Sequence, residues 1–103
     1  MKKIAEIRCR ASRVCEILGN PLAYEIMYLL KKGPKSPEVL SHKLGISVSR
    51  VSKILRWLRH LDLVRYKIEW RSHIYWIKMP AIIHIMQEFE KLIKSIDTIE
   101  DKS

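Results

Sequence analysis

A chain of 103 residues, 48% apolar and 30% charged, has the size and balance of one folded domain, which excludes a largely disordered protein and two independent cores. Twenty lysines and arginines against eleven carboxylates leave +9 at pH 7, so an anionic partner is expected. No apolar run approaches the roughly 18 to 20 residues of a bilayer crossing, and Glu6, Arg8 and Arg10 stand where a signal peptide would carry its apolar core. The reading is a soluble, cytoplasmic protein with no membrane partner. One asparagine, one glutamine and one threonine against fifteen isoleucines lean towards a heat-adapted source.

The excess charge is not spread evenly. Residues 31–78 hold twelve lysines and arginines against Glu38, Asp62 and Glu69, a local balance of +9, while the two flanks cancel. A solvated shell would distribute such charge, whereas a binding surface concentrates it.

In chain order, Ile4, Ile7, Ala11, Val14 and Leu18 recur at spacings of three and four, which predicts a helix over residues 3–18 with one apolar stripe. Asn20 and Pro21 form a cap and first turn; Leu22, Ile26, Leu29 and Leu30 follow before Gly33 ends this second helix. Ser36 and Pro37 repeat that start for a short helix with Val39, Leu40 and Leu44, closed by Gly45. Ser47 caps a fourth helix whose buried side is read as Val48, Val51, Leu55 and Leu58, with Ser49, Arg50, Ser52, Lys53 and Arg56 on or beside the opposite face. Two short helices around Gly45-Ile46-Ser47 make a helix-turn-helix pattern over residues 36–62.

Residues 63–69 and 73–78, rich in Val, Ile, Tyr and Trp and joined by a short polar stretch around Arg71, predict a β-hairpin over 63–78. Both faces are partly apolar, so the alternation leaves open whether Ile74 and Trp76 or Tyr75 and Ile77 point inward. After Pro80, Ile82, Ile85, Met86, Phe89, Leu92, Ile93, Ile96 and Ile99 mark a long final helix over residues 80–100. That apolar face exceeds what one small domain covers and, with the first helix, is the natural dimerisation surface. The fold class expected is mostly α with a β-hairpin wing, a single domain over 1–103.

The run Leu44-Gly-Ile-Ser-Val-Ser-Arg-Val-Ser-Lys-Ile-Leu-Arg-Trp-Leu-Arg-His-Leu-Asp-Leu-Val64 resembles the winged helix-turn-helix of the ArsR family of bacterial and archaeal transcriptional regulators. Leu18-Gly-Asn-Pro21 is similar to the family's Leu-x-Asp-Pro opening of its second helix, and Arg71 and Tyr75 fall where the family's wing carries them. The resemblance implies a homodimer built on the first and last helices. It points to an archaeal member without the metal-sensing cysteines, since Ser36 and Glu38 occupy their positions in the third helix. Of the last-helix zinc ligands only His84 and Glu88 stand one turn apart, and two ligands do not make a zinc site. Val48 and Ile54 replace residues that are commonly polar in the family's recognition helix, and Trp70 replaces the usual wing glycine.

The candidate DNA-binding residues are therefore Ser47, Ser49, Arg50, Ser52, Lys53 and Arg56 on the fourth helix, with Lys67, Trp70, Arg71 and His73 on the wing. Their plain alternatives are a solvated helix face and a polar hairpin tip. On one helix Cys9 and Cys15 lie about 9 Å apart along the axis and about 120° around it, beyond the ~7 Å limit for a bridge within the chain. Cys15 flanks the apolar stripe and Cys9 points away from it. Free thiols are the default in the cytosol, and a bridge from Cys9 or Cys15 would have to join two chains or reach another segment.

No Ser/His/Asp or Cys/His set, phosphate loop or carboxylate pair is visible, so neither an enzyme nor a cofactor or metal is indicated. The expected function is a homodimeric, double-stranded DNA-binding transcriptional regulator that represses by occupying its operator, with no effector indicated. A sequence-tolerant chromosomal protein shares this chemistry. A protein interaction module would not need the concentrated charge.

Overall fold

Helix α1 (Glu6–Leu18) begins at Glu6 rather than near residue 3, and Ala5 at its N-cap has no side-chain oxygen to hold the first-turn amides. The computed structural model describes residues 3–102, with the side chains of 3–99. Among these, α1 is followed by α2 (Pro21–Lys31), α3 (Pro37–Leu44), α4 (Val48–His60), the strands β1 (Val64–Glu69) and β2 (Ser72–Ile77), and α5 (Ala81–Lys102). The predicted α1 stripe docks only at its end: Ile17 and Leu18 are buried, whereas Ile4 and Ile7 stand 49% and 76% exposed.

Local chemistry sets the next three helices. Asn20 accepts from the amides of Leu22 and Ala23, Ser36 from Val39 and Ser47 from Arg50, each satisfying donors that a helix start leaves unpaired. The buried stripe of α2 is Ala23, Ile26, Met27 and Leu30, turned from the predicted one so that Leu22 and Leu29 are only half-buried. Gly45 ends α3 in the left-handed region at φ 66°, its N–H donating to Ser41 O at 2.9 Å, and the Ser41 hydroxyl donates to Ile46 O. This turn aims α4 away from α3.

Helix α4 buries Val51, Ile54, Leu55 and Leu58. One expectation is corrected here: Val48, assigned to the buried side, is 39% exposed, and Ile54, not among the residues read as buried, takes a core position. Val48 is the first helical residue, one turn before the core contact begins. The helix closes in a Schellman motif, Leu63 N–H donating to Leu58 O at 3.0 Å and Asp62 N–H to Arg59 O at 2.9 Å. Asp62 occupies the left-handed position at φ 60° where glycine is usual.

The hairpin pairs Val64 with Ile77 through Glu69 with Ser72, leaving Trp70 and Arg71 as a two-residue turn. Tyr75 and Val64 are buried, so the face carrying Tyr66, Ile68, His73, Tyr75 and Ile77 is the inner one. Tyr75 N–H donates to Lys35 O at 2.9 Å and Lys35 N–H to Tyr75 O at 3.0 Å, tying β2 to the segment before α3. Helix-turn-helix and hairpin together are a winged helix-turn-helix.

Trp70 has φ 59° at the first of the two turn positions, where a non-glycine residue costs about 1–2 kcal/mol. Its side chain is 96% exposed, so no packing within the chain offsets that strain.

Helix α5 meets the core through Ile82 and Met86. Tyr24 on α2 fastens it, its Oη donating to Glu90 Oε2 at 2.8 Å with Met86 O at 3.2 Å. Burial first, then the hydrogen bond and charge of Glu90, push the Tyr24 phenol up to about 12. A raised folded pKa favours the neutral phenol, so this contact is whole below pH 10 and is lost as pH rises from there towards about 12. A tyrosinate absorbance titration is expected to show one group ionising near pH 12 that Tyr24→Phe removes. An unchanged alkaline limb in that variant would show that the bond does not form in solution.

Candidate nucleic-acid interface

On α4, Ser49, Arg50, Lys53 and Arg56 are exposed and lie at spacings of three and four, within about 11 Å along the axis. That length fits across a major groove about 12 Å wide. Ser52 is half-buried at the edge of this row. Ser47 accepts from Arg50 N–H at 3.1 Å, which leaves its hydroxyl proton free to donate outward. The three ion pairs among the described residues are Lys67–Glu69, Lys78–Asp62 and Lys91–Glu88. None engages α4, so its cationic heads are available to an external anion.

The wing is coupled to α4 by aromatic contacts that the sequence reading did not include. The Arg59 guanidinium lies 5.0 Å from the Tyr66 ring centre, which in turn stands 5.2 Å from Tyr75 and 4.9 Å from His73. Arg59 follows Arg56 by three residues, a spacing that could have marked it; Tyr66 as its seat is visible only after folding. Burial pushes the Tyr75 phenol up, with Arg59 and Arg56 pulling it partly back, so both guanidinium charges bear on the inner face of the hairpin.

The four wing candidates do not share one surface. His73 lies on the inner face against Tyr66, and Trp70 and Arg71 form the turn. Lys67 is paired with Ile74 on the outer face, where its Nζ sits 3.6 Å from Glu69 Oε2. Alternation with period two separates Lys67 from His73, and a partner at the inner face would not meet it. At the end of α2, Lys31 and Lys32 extend over the Tyr28 ring at 5.7 and 4.9 Å, a further cationic group absent from the sequence reading.

Elsewhere, Cys9 is half-buried and Cys15 exposed, the reverse of the order that the predicted stripe suggested, and both thiols are free. The stripe gives no guide because most of it is undocked. Among the described residues no three His, Cys, Asp or Glu side chains gather as a metal site, and no helix is long and apolar enough to cross a membrane.

Residues 20–66 match the family model described as bacterial regulatory protein, arsR family. No curated protein matches the chain. Among solved structures, the chain is similar to M. tuberculosis Rv0081 at TM-score 0.83 and 21% identity, covering 95% of this chain and 98% of that one. HlyU from Vibrio cholerae is similar at TM-score 0.77 and 22% identity over 86% and 97% of the two chains. Mb0332 from Mycobacterium bovis, described as a homodimeric winged helix-turn-helix DNA-binding domain of a possible ArsR-family transcriptional regulator, is similar at TM-score 0.78 and 19% identity over 91% of each.

Proposed function

We propose that the chain is an ArsR-family transcriptional regulator that binds double-stranded DNA as a homodimer and represses by occupying its operator. The observation that carries the reading is the α4 face, where Ser49, Arg50, Lys53 and Arg56 stand exposed, the three cations with no ion-pair partner among the described residues, in a segment holding the whole net charge. The family match over residues 20–66 and the homodimeric state of the similar Mb0332 domain support it.

In this reading α4 of each protomer enters one of two successive major grooves, about 34 Å apart on one face of the duplex. Arg50 and Lys53 reach base edges or phosphates, the hydroxyls of Ser47, Ser49 and Ser52 donate to phosphates, and Arg56 neutralises the backbone. The turn residues Trp70 and Arg71, with His73 behind them, approach the minor groove. Lys67, on the outer face and shared with Glu69, makes a weaker phosphate contact.

The test is a comparison of two variants on a duplex that the protein itself selects from a random pool and on unselected DNA. Arg50→Ala is expected to cost about 1–3 kcal/mol on the selected duplex and less on random DNA. Lys67→Ala is expected to weaken both by a small and equal factor. Equal losses from both variants on both duplexes would turn the reading towards a sequence-tolerant chromosomal protein, a role that the exposed apolar Val48 at the start of α4 would suit.

A further inference from the structure

We propose that Trp70 is a stacking wedge: it enters the minor groove, partly unstacks one base step and bends the duplex. The proposal rests on the DNA-binding reading above and names what the wing recognises, a deformable step rather than a pattern of base edges.

Neither folding nor packing accounts for this tryptophan. Its φ of 59° belongs to a region that glycine occupies without strain, and its indole is 96% exposed. A strained, solvent-facing aromatic persists where a bound state uses it. The surroundings say what kind of partner that is. Six paired residues on each strand carry the turn about 17 Å beyond Val64. Ile68, 65% exposed, adds a second apolar group near the tip, and the exposed Arg71 beside Trp70 supplies a cation, while Lys67 on the outer face is shared with Glu69.

The tip is also aimed. Arg59 seated on Tyr66, and the paired backbones of Tyr75 and Lys35, anchor the hairpin to α4 and to the start of α3. The hairpin is therefore held fixed relative to α4, and a partner that spans both finds the tip already placed. Duplex DNA offers such a tip what an aqueous or purely polar surface does not: phosphates for Arg71 and π-faces for the indole. Apolar side chains inserted between base pairs kink the duplex towards the major groove, and pyrimidine–purine steps yield most easily. The wedge thus predicts TA or CA/TG steps where the two wings touch.

The experiment uses the full chain with Trp57→Phe and Trp76→Phe, so that Trp70 is the single indole; should that background not fold, the difference in emission between wild type and Trp70→Phe serves instead. The probe is a duplex selected from a random pool, its ends labelled for energy transfer. Duplex addition is expected to quench Trp70 and bring the ends closer. Trp70→Ala is expected to bind about tenfold more weakly, to lose the bend and to keep the salt dependence of wild type, because stacking and not charge has been removed. Trp70→Gly should lose as much affinity as the alanine variant while melting higher, which separates the contact from the relieved backbone. Trp70→Phe should retain part of both affinity and bend.

A steep salt dependence with an unquenched Trp70, and an alanine variant that binds and bends as wild type does, would overturn the wedge and leave DNA binding standing. Absence of any salt-dependent binding to duplex would remove the DNA reading and the wedge with it. A blue shift of Trp70 on vesicles of anionic phospholipid, with no response to duplex, would reassign the tip to a lipid surface and overturn the proposal.

Discussion

Affinity for duplex DNA is expected to fall by about 10³ to 10⁵ between roughly 50 and 200 mM salt. The size follows from charge geometry. Arg50, Lys53, Arg56 and Arg71 of each protomer are exposed, and a dimer brings eight such cations to the backbone, within the range of about 6 to 10 phosphates that gives this loss. Among the described residues these heads make no ion pair, so no such bond has to break before they release counterions from the DNA. Titrations at several salt concentrations, read as the slope of log affinity against log salt, measure the number directly. A shallow slope would mean that the basic segment serves something other than the phosphate backbone.

The second large effect is expected from α5. Ile85, Phe89, Leu92, Ile96 and Ile99 repeat at spacings of four and three, the seam of a helix pair, and each is at least 40% exposed in the single chain. A contiguous stripe of this kind is unstable in water without a partner, and Ile4 and Ile7 of α1 add to the apolar surface left uncovered. Leu92→Glu combined with Ile96→Glu places like charges across a two-fold axis and should yield monomer in sedimentation, with the core around Leu55 and Leu58 intact. Because two linked half-sites bind through a high effective concentration, DNA affinity should drop by about 10² to 10⁴. A dimer that survives both charges, or a monomer that binds as tightly as wild type, would show that α5 is not the interface. Wild-type protein run on a non-reducing denaturing gel after air oxidation tests for an interchain bridge: monomeric migration means that Cys9 and Cys15, free within the chain, form no bond between chains either.

What the chain determines by itself is what depends on neighbours close in sequence. Asn20, Ser36 and Ser47 cap their helices through amides two or three residues away, and Gly45 turns the chain by its own backbone freedom; the helix-turn-helix and the row Ser49, Arg50, Lys53 and Arg56 are therefore legible without a fold. The length of the final helix and the concentration of charge in residues 31–78 are equally local facts. Tertiary structure decided whatever required knowing what lies opposite. Val48 and Ile54 are both apolar, and only the position of the core makes one exposed and the other buried. Both hairpin faces are partly apolar, so the inner one was settled by the pairing of Tyr75 with Lys35 and the burial of Tyr75 and Val64, which in the same step sent Lys67 to the outer face beside Glu69. The seat of Arg59 on Tyr66 joins residues of a helix and a strand, and the left-handed turns at Asp62 and Trp70 use residues with no glycine to announce them. The α1 stripe marks the boundary between the two kinds of information: its spacing is written in the sequence, but a single chain buries only its last turn, because an amphipathic face states that it needs a partner and not which surface supplies one.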